Sequence, residues 1–238
     1  MAGVDGAAQS GPRPGSGEMF DGIAPRYDAL NRILSLGMDQ RWRRLTVESL
    51  QLFPGARVLD LATGTGDLAL ALLRAEEVRL TGLDPSSGML RQARKKLAAA
   101  GTSADLLRGD ACRLPFASAG FERVCIGFGI RNFPDRLSAL REIRRVLVPA
   151  GRLAILELVP PGRGALAPLS RFWVRSAVPW IGARLSGRGE YRYLEQSVSA
   201  FPPPEVFSRT IEEAGFEMLG RRLLGFGACC LYVARPRL

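Results

Sequence analysis

From Glu18 to about Leu52 the apolar residues recur at helical spacing. Phe20, Ile23, Tyr27, Leu30, Ile33 and Leu34 fall three or four positions apart, Gly37 breaks the run, and Arg41 to Leu52 resumes it. This predicts two or three short helices. After Pro54-Gly55 the period changes to short apolar runs. Arg57 to Ala62 reads as a strand, Thr63 to Gly66 as a turn, and Asp67 to Ala75 as a helix. Val78 to Asp84 is a second strand, and Ser86 or Ser87 can cap a helix reaching about Ala100. Ala104 to Arg108 and Gly120 to Gly127 supply two more strands, Asp135 to Leu147 a helix, and Arg152 to Leu158 a fifth strand. Strand and helix alternating at this spacing predict an α/β fold, a Rossmann-like doubly wound sheet with helices on both faces.

The two ends of this pattern differ from its middle. Residues 1–17 are rich in Gly, Ala, Ser and Pro and bury nothing, which predicts a disordered tail. The alternation stops over residues 160–204, a Pro- and Gly-punctuated, aromatic, Arg-rich insert that reads as a lid. Residues 205–238 then give a helix (Pro204 to Gly215) and a closing antiparallel pair of strands, Phe216 to Leu223 and Cys229 to Ala234. Residues 18–238 thus read as one domain: helices over 18–52, a binding core over 53–159, the insert, and the closing segment.

Composition changes the picture in two ways. The 238 residues include no histidine, which excludes a Ser-His-Asp triad, a Cys-His dyad and an HExxH zinc site. The four cysteines, Cys112, Cys125, Cys229 and Cys230, show no CxxC spacing, so neither a metal ribbon nor a redox motif is expected, and a reducing cytoplasm fits. The net charge is +10, carried almost wholly by arginine, since Lys95 and Lys96 are the only lysines. Such a charge suits nucleic acid, an anionic membrane surface or plain solubility. No run of eighteen apolar residues predicts a membrane span, and no basic segment followed by an apolar run reads as a secretory signal.

The candidate chemistry lies at the ends of successive strands. Asp60-Leu61-Ala62-Thr63-Gly64-Thr65-Gly66 carries a strand into a glycine turn at a helix N-terminus, where backbone N–H groups are free and a ligand can approach closely. Asp84 ends the second strand, where a carboxylate can take both hydroxyls of a ribose. Gly109-Asp110-Ala111 follows the third, where an acid can reach an adenine amino group. No third glycine follows Gly66, which disfavours a pyrophosphate cofactor.

Glycine turn, ribose acid and adenine acid in this order resemble the class I S-adenosylmethionine-dependent methyltransferases. The resemblance narrows at Met19 to Asp28, Asn31 to Gly37, Trp42-Arg43-Arg44, Ile126 to Asn132, and Tyr191 to Pro202. These stretches are similar to the ubiquinone/menaquinone biosynthesis C-methyltransferases, whose members methylate a ring carbon of a polyprenylated quinol. The similarity covers about Glu18 to the C-terminus. It implies S-adenosylmethionine as cofactor, held by Asp60, Thr63, Gly64, Thr65, Gly66, Asp84, Asp110, Ala111 and Gly127. It implies a quinol bound by Tyr27, Asn31, Phe128, Arg131 and Asn132, and no metal. The sequence departs from the family where Asp39 and Tyr232 stand at positions usually held by histidine, and where Gly127 replaces a serine found in some members.

Methylating an aromatic carbon calls for an electron-rich ring, and ionising a phenol of pKa about 10 makes one. Arg131 can stabilise that phenolate, directly or through a water that takes the proton. Tyr27 is the second catalytic candidate, and Asp28 and Asp39 are candidate proton acceptors, helix caps or salt-bridge partners. Phe20 can face a sulfonium, and Asp67 can cap its helix or brace the glycine turn. Residues 163–192 carry six arginines against Glu190 alone, half of the net charge, interleaved with Phe172, Trp173, Trp180 and Ile181. This pattern predicts peripheral contact with the inner face of a membrane, where a polyprenyl tail resides. A methyltransferase of another phenolic or lipid small molecule is the alternative. A nucleic-acid partner is disfavoured, because Gly127 to Arg131 lacks the Asn/Asp-Pro-Pro-aromatic motif of base methylation. A homodimer is left open.

Overall fold

A computed structural model of the chain describes residues 17–24, 27–160 and 188–237. The tail over 1–16 and most of the insert, with Arg163, Arg171, Phe172, Trp173, Arg175, Trp180, Ile181 and Arg184, lie outside the described residues.

Three helices come first: α1 (Gly17–Ile23), α2 (Tyr27–Leu34) and α3 (Met38–Leu50). The strand and helix alternation then follows the predicted order. It runs β1 (Arg57–Leu61), α4 (Asp67–Ala75), β2 (Arg79–Asp84), α5 (Ser87–Ala99), β3 (Asp105–Arg108), β4 (Phe121–Gly127), α6 (Arg136–Val146) and β5 (Leu147–Leu158). A 3-10 turn, Ile130–Asn132, links β4 to α6. The chain ends with α7 (Arg188–Ser199), α8 (Pro204–Glu213), β6 (Phe216–Leu224) and β7 (Cys229–Pro236). Local chemistry sets several boundaries. Ser86 caps α5 by accepting from the Met89 N–H, and Asp135 caps α6 by accepting from the Ser138 N–H.

The seven strands order as β3-β2-β1-β4-β5-β7-β6. The four neighbouring pairs from β3 to β5 run parallel, and β7 lies antiparallel to both β5 and β6. From β1 the chain winds outward to β2 and β3, then crosses back to β4 on the other side. That reversal opens a crevice at the carboxyl ends of β1 and β4.

Both faces of the sheet are buried, so its inner strands read as near-continuous apolar runs. On one face Leu59, Leu61, Ile126 and Ile155 pack against Leu140 and Ile143 of α6 and Phe207 and Ile211 of α8. On the other face Val58, Leu80, Cys125 and Ala154 pack against α3, α4 and α5 through Val47, Leu72 and Leu97. Tyr232, in a histidine position of the resembling family, belongs to the first of these cores. It is 1% exposed and stacks edge-on against Phe207 at 5.1 Å, so this position packs rather than catalyses.

Three details differ from the sequence reading. Helix α3 begins at Met38, three residues before Arg41, because Gly37 adopts φ 74 and turns the chain into the helix rather than merely interrupting one. Strand β5 begins at Leu147, immediately after α6, and so includes the Pro149-Ala150-Gly151 stretch. Within the segment read as an irregular insert, α7 forms over Arg188–Ser199, where no proline interrupts a helical spacing of Leu194 and Val198.

The floor of the crevice is tightly built. A Cβ added to Gly129 would sit 2.4 Å from Cβ of Ala62, where the ends of β1 and β4 meet. Gly129 has an ordinary negative φ, so only the contact forbids a side chain. Gly129→Ala is therefore expected to destabilise the fold by about 1–3 kcal/mol. A urea melt should show a lower midpoint with an unchanged slope; an unchanged midpoint would contradict this packing.

Candidate functional site

A cleft of about 370 Å³ lies over the carboxyl ends of the parallel strands. Strand β1 delivers Asp60 into it, fully buried, and the chain then turns through Ala62 at φ 55 and Gly64 at φ 57. Thr63 Oγ1 donates to Asp60 Oδ2 at 2.7 Å, which closes the turn on itself. Asp84 holds the same turn from β2. Its Oδ2 accepts the Gly64 N–H at 2.9 Å and its Oδ1 the Ser86 N–H at 2.8 Å. Gly66 sits in the left-handed region at φ 83, and a Cβ there would also sit tightly, 3.1 Å from Cβ of Ala93. Its task is the close approach of α4 to α5.

Burial raises both carboxyls. Desolvation pushes Asp60 up to about 7 against its bonds from Thr63 and Cys125, and pushes Asp84 up to about 6 against the two N–H donors.

The N-terminal helices cover the cleft. Gly17 and Phe20 of α1 and Tyr27 of α2 line it, and Phe20 meets Tyr27 edge-on at 6.4 Å. Asp21 anchors α1 by accepting from Ser86 Oγ and the Gly88 N–H, each at 2.6 Å, at the start of α5. Asp28 anchors α2. It pairs with Lys96 at 2.6 Å and accepts from Thr65 Oγ1, while Lys96 also pairs with Asp67 at the head of α4. Asp28 is thus a salt-bridge partner, one of its expected roles. Asp39 likewise pairs with Arg43 one turn along α3.

The residues predicted to bind cofactor largely converge. Asp60, Thr63, Gly64, Thr65, Asp84, Asp110, Ala111 and Gly127 all line the cleft, and Gly66 stands behind it. Asp110 is exposed at the rim, its Oδ1 accepting the Cys112 N–H at 2.9 Å. Of the predicted substrate residues, Tyr27, Phe128 and Asn132 line the cleft, while Asn31 and Arg131 do not. Arg131 is buried and paired with Glu157, Nη1 to Oε1 at 2.8 Å, and its own backbone N–H donates to Glu157 Oε2 at 3.1 Å. Burial is the largest influence and works against the guanidinium charge, but Glu157, by charge and hydrogen bond, together with Tyr27 and Tyr193, outweighs it and holds Arg131 above the ordinary arginine range. Asn132 is fixed by Tyr193 of α7, whose hydroxyl donates to its Oδ1 at 2.9 Å.

Arg43, Leu68, Met89, Phe133 and Pro134 also line the cleft and were not among the predicted site residues. Arg43 sits within the Trp42-Arg43-Arg44 signature, which marked the stretch without assigning the side chain. Met89 was legible only as an apolar position of a capped helix.

Known proteins place this geometry. The model of the ubiE/COQ5 methyltransferase family matches residues 12–235. The chain belongs to that family. It is 47% identical to the demethylmenaquinone methyltransferase of Thermus thermophilus, over 92% of this chain and all of that protein. It is 45% identical to the demethylmenaquinone methyltransferase of Deinococcus radiodurans, over 92% of each chain. It is 44% identical to the ubiquinone/menaquinone biosynthesis C-methyltransferase of Syntrophotalea carbinolica, over 92% of this chain and 94% of that one. The structure of the [4+2]-cyclase SpnF matches with a TM-score of 0.70 at 20% identity, covering 93% of this chain and 96% of that one. A SAM-dependent methyltransferase from Aquifex aeolicus matches with a TM-score of 0.63 at 17% identity, covering 90% and 97%. These two likenesses speak to the fold of the methyltransferase alone.

The raised carboxyls have a measurable consequence. An acid whose folded pKa exceeds its unfolded value binds a proton in the folded chain that the unfolded chain lacks. The stability of the ligand-free methyltransferase should therefore fall as pH rises from about 4 towards 7 and level off above, by roughly 1.4 kcal/mol per pH unit for each group while it titrates. Asp60→Asn removes the wider of the two windows. Urea melts between pH 5 and 8 should show a shallower pH dependence in the variant; parallel curves would mean that Asp60 is not the source.

Proposed function

We propose that the protein methylates a ring carbon of a demethylmenaquinol, with S-adenosylmethionine as donor, at a membrane surface. The observation that supports this most is the 47% identity to a demethylmenaquinone methyltransferase across that protein's whole length.

The cleft suits the cofactor. Its volume is that of a small-molecule site, and four acids against one guanidinium suit a ligand that carries positive charge. Asp84 and Asp110 would take the ribose hydroxyls and the adenine amino group, and Leu83, Met89 and Ala111 would bracket the ring. The turn from Thr63 to Gly66 would approach the ligand through its backbone. The cofactor, when bound, supplies the electrophilic methyl group and its own leaving group.

The chain supplies position, dryness and charge. Phe20 and Tyr27 close over the cleft and exclude water from the reacting atoms. The quinol ring would lie among Tyr27, Phe128 and Asn132, near the end of β4. Arg131 stabilises the phenolate through its field from behind the cleft wall, with its orientation set by Glu157. Asp28 and Asp39 are both engaged in ion pairs, so the quinol proton passes to water. The basic, aromatic segment over 163–192 would hold the methyltransferase at an anionic lipid surface, where the prenyl tail lies. No described helix is long and apolar enough to cross a membrane.

Purified protein incubated with S-adenosylmethionine and demethylmenaquinol in anionic vesicles should yield a product heavier by one methylene, with the methyl on a ring carbon. Arg131→Ala should lower turnover by at least about a hundredfold while cofactor affinity stays within about twofold. Unchanged turnover would remove Arg131 from the mechanism, and methylation of oxygen would overturn the reaction class.

A further inference from the structure

Among the described residues that line the cleft, four are acids (Asp60, Asp67, Asp84 and Asp110) and one, Arg43, is basic. Arg43 is nearly buried, at 7% exposed, and projects from α3. Its Nη1 donates to Asp39 Oδ2, and Asp39 is itself 2% exposed and receives Ser35 Oγ at 2.8 Å. The guanidinium carbon lies 5.4 Å from the centre of the Phe128 ring. Nη2 stands 3.6 Å from Asp67 Oδ2, an ion pair too long for a hydrogen bond. Arg43 is thus fixed by a carboxylate at one nitrogen and by an aromatic face, and it reaches the cleft with donor capacity to spare.

The sheet order places Arg43 at a particular end of the cleft. Asp84 and Asp110 follow β2 and β3 on one side of β1, whereas Phe128, which Arg43 covers, follows β4 on the other. A ligand held by its nucleoside at Asp84 and Asp110, and crossing the glycine turn, brings its far end towards Arg43. In S-adenosylmethionine that far end is an amino acid, and its carboxylate enters a cleft otherwise lined by acids. A carboxylate taken from water into such a place needs a cationic partner with hydrogen bonds to give, and the arginine fork fits it.

We propose that Arg43, oriented by Asp39, receives the α-carboxylate of the cofactor's methionyl portion. This rests on the reading of the cleft as an S-adenosylmethionine site. Asp39 then acts through Arg43 as a positioning residue, which gives the departure from histidine at that position a use.

The test compares two ligands that share the nucleoside and thioether but differ in the carboxylate. S-adenosylhomocysteine has it, and 5′-deoxy-5′-methylthioadenosine lacks the amino-acid portion altogether. By calorimetry Arg43→Met should weaken S-adenosylhomocysteine by about tenfold to a hundredfold and change methylthioadenosine by no more than about twofold. Arg43→Lys keeps the charge but not the fork, so an intermediate, equally selective loss is expected; it also serves if the Met variant fails to fold. Asp39→Asn should show a smaller loss with the same selectivity. Equal weakening of both ligands, or no weakening of either, would overturn the assignment and leave Arg43 as a structural partner of Asp39. Wild-type protein that binds neither ligand would overturn the cofactor reading itself.

Discussion

The ammonium of Lys96 is the junction on which the cleft depends. It pairs with Asp28 on α2 and with Asp67 on α4, and lies 3.4 Å from Thr65 Oγ1 in the glycine turn. Two carboxylates and a backbone turn from separate parts of the chain are thereby held around one compact charge. Without it Asp28 and Asp67 would face each other as like charges near the head of α4. A compact ammonium with three rotatable donors can serve partners in three directions, where a planar guanidinium would favour one in-plane acid. In a chain whose basic residues are nearly all arginine, a lysine at this point has a physical reason. Because Tyr27 is adjacent to Asp28, the same pair sets where an aromatic wall of the cleft stands.

What was legible in the sequence is what the chain builds locally. Strand ends, the glycine turn and the acids at Asp60, Asp84 and Asp110 are each written within a few residues, and topology brings them to one edge of a parallel sheet. The alternation that announced the sheet also fixed its winding, since parallel strands joined by helices have few arrangements available. What was not legible depends on partners distant in sequence. Arg131 read as a side chain presented to substrate, yet Glu157, twenty-six residues on and in the neighbouring strand, claims it. No spacing rule predicts that pairing. Arg43 belonged to a recognisable signature, but its direction follows from the packing of α3 against α4 and from the ring of Phe128. Lys96 carried one signal that could have been used, its rarity.

The absence of histidine looks different once the two positions are located. Tyr232 packs in the core between sheet and helix, where size and shape matter and a titrating ring would bring nothing. Its hydroxyl finds no hydrogen-bond partner among the described residues, a cost that fits a core substitution better than a working group. Asp39 lies one turn from Arg43, where a carboxylate orients a guanidinium more firmly than an imidazole can. Neither position calls for a proton carrier, so the lack of imidazole removes nothing that the geometry needs.

A protein with a net charge of +10 might be expected to present a basic cleft, and it does the opposite. Net charge is a sum over surface groups that water and salt screen, whereas the potential inside a cleft is set by the few groups that line it at low dielectric. Those groups are mostly acids, and burial drives Asp60 and Asp84 towards neutrality in the ligand-free chain. A cationic ligand reverses that cost, because each carboxylate ionises more readily beside it. The raised carboxyls and the ligand's charge are therefore parts of one balance. Were S-adenosylmethionine the occupant, as proposed, loss of its methyl group would take a positive charge out of the cleft and leave the acids facing a ligand less able to hold them ionised, so the same electrostatics that favour the donor would weaken the hold on what remains after transfer.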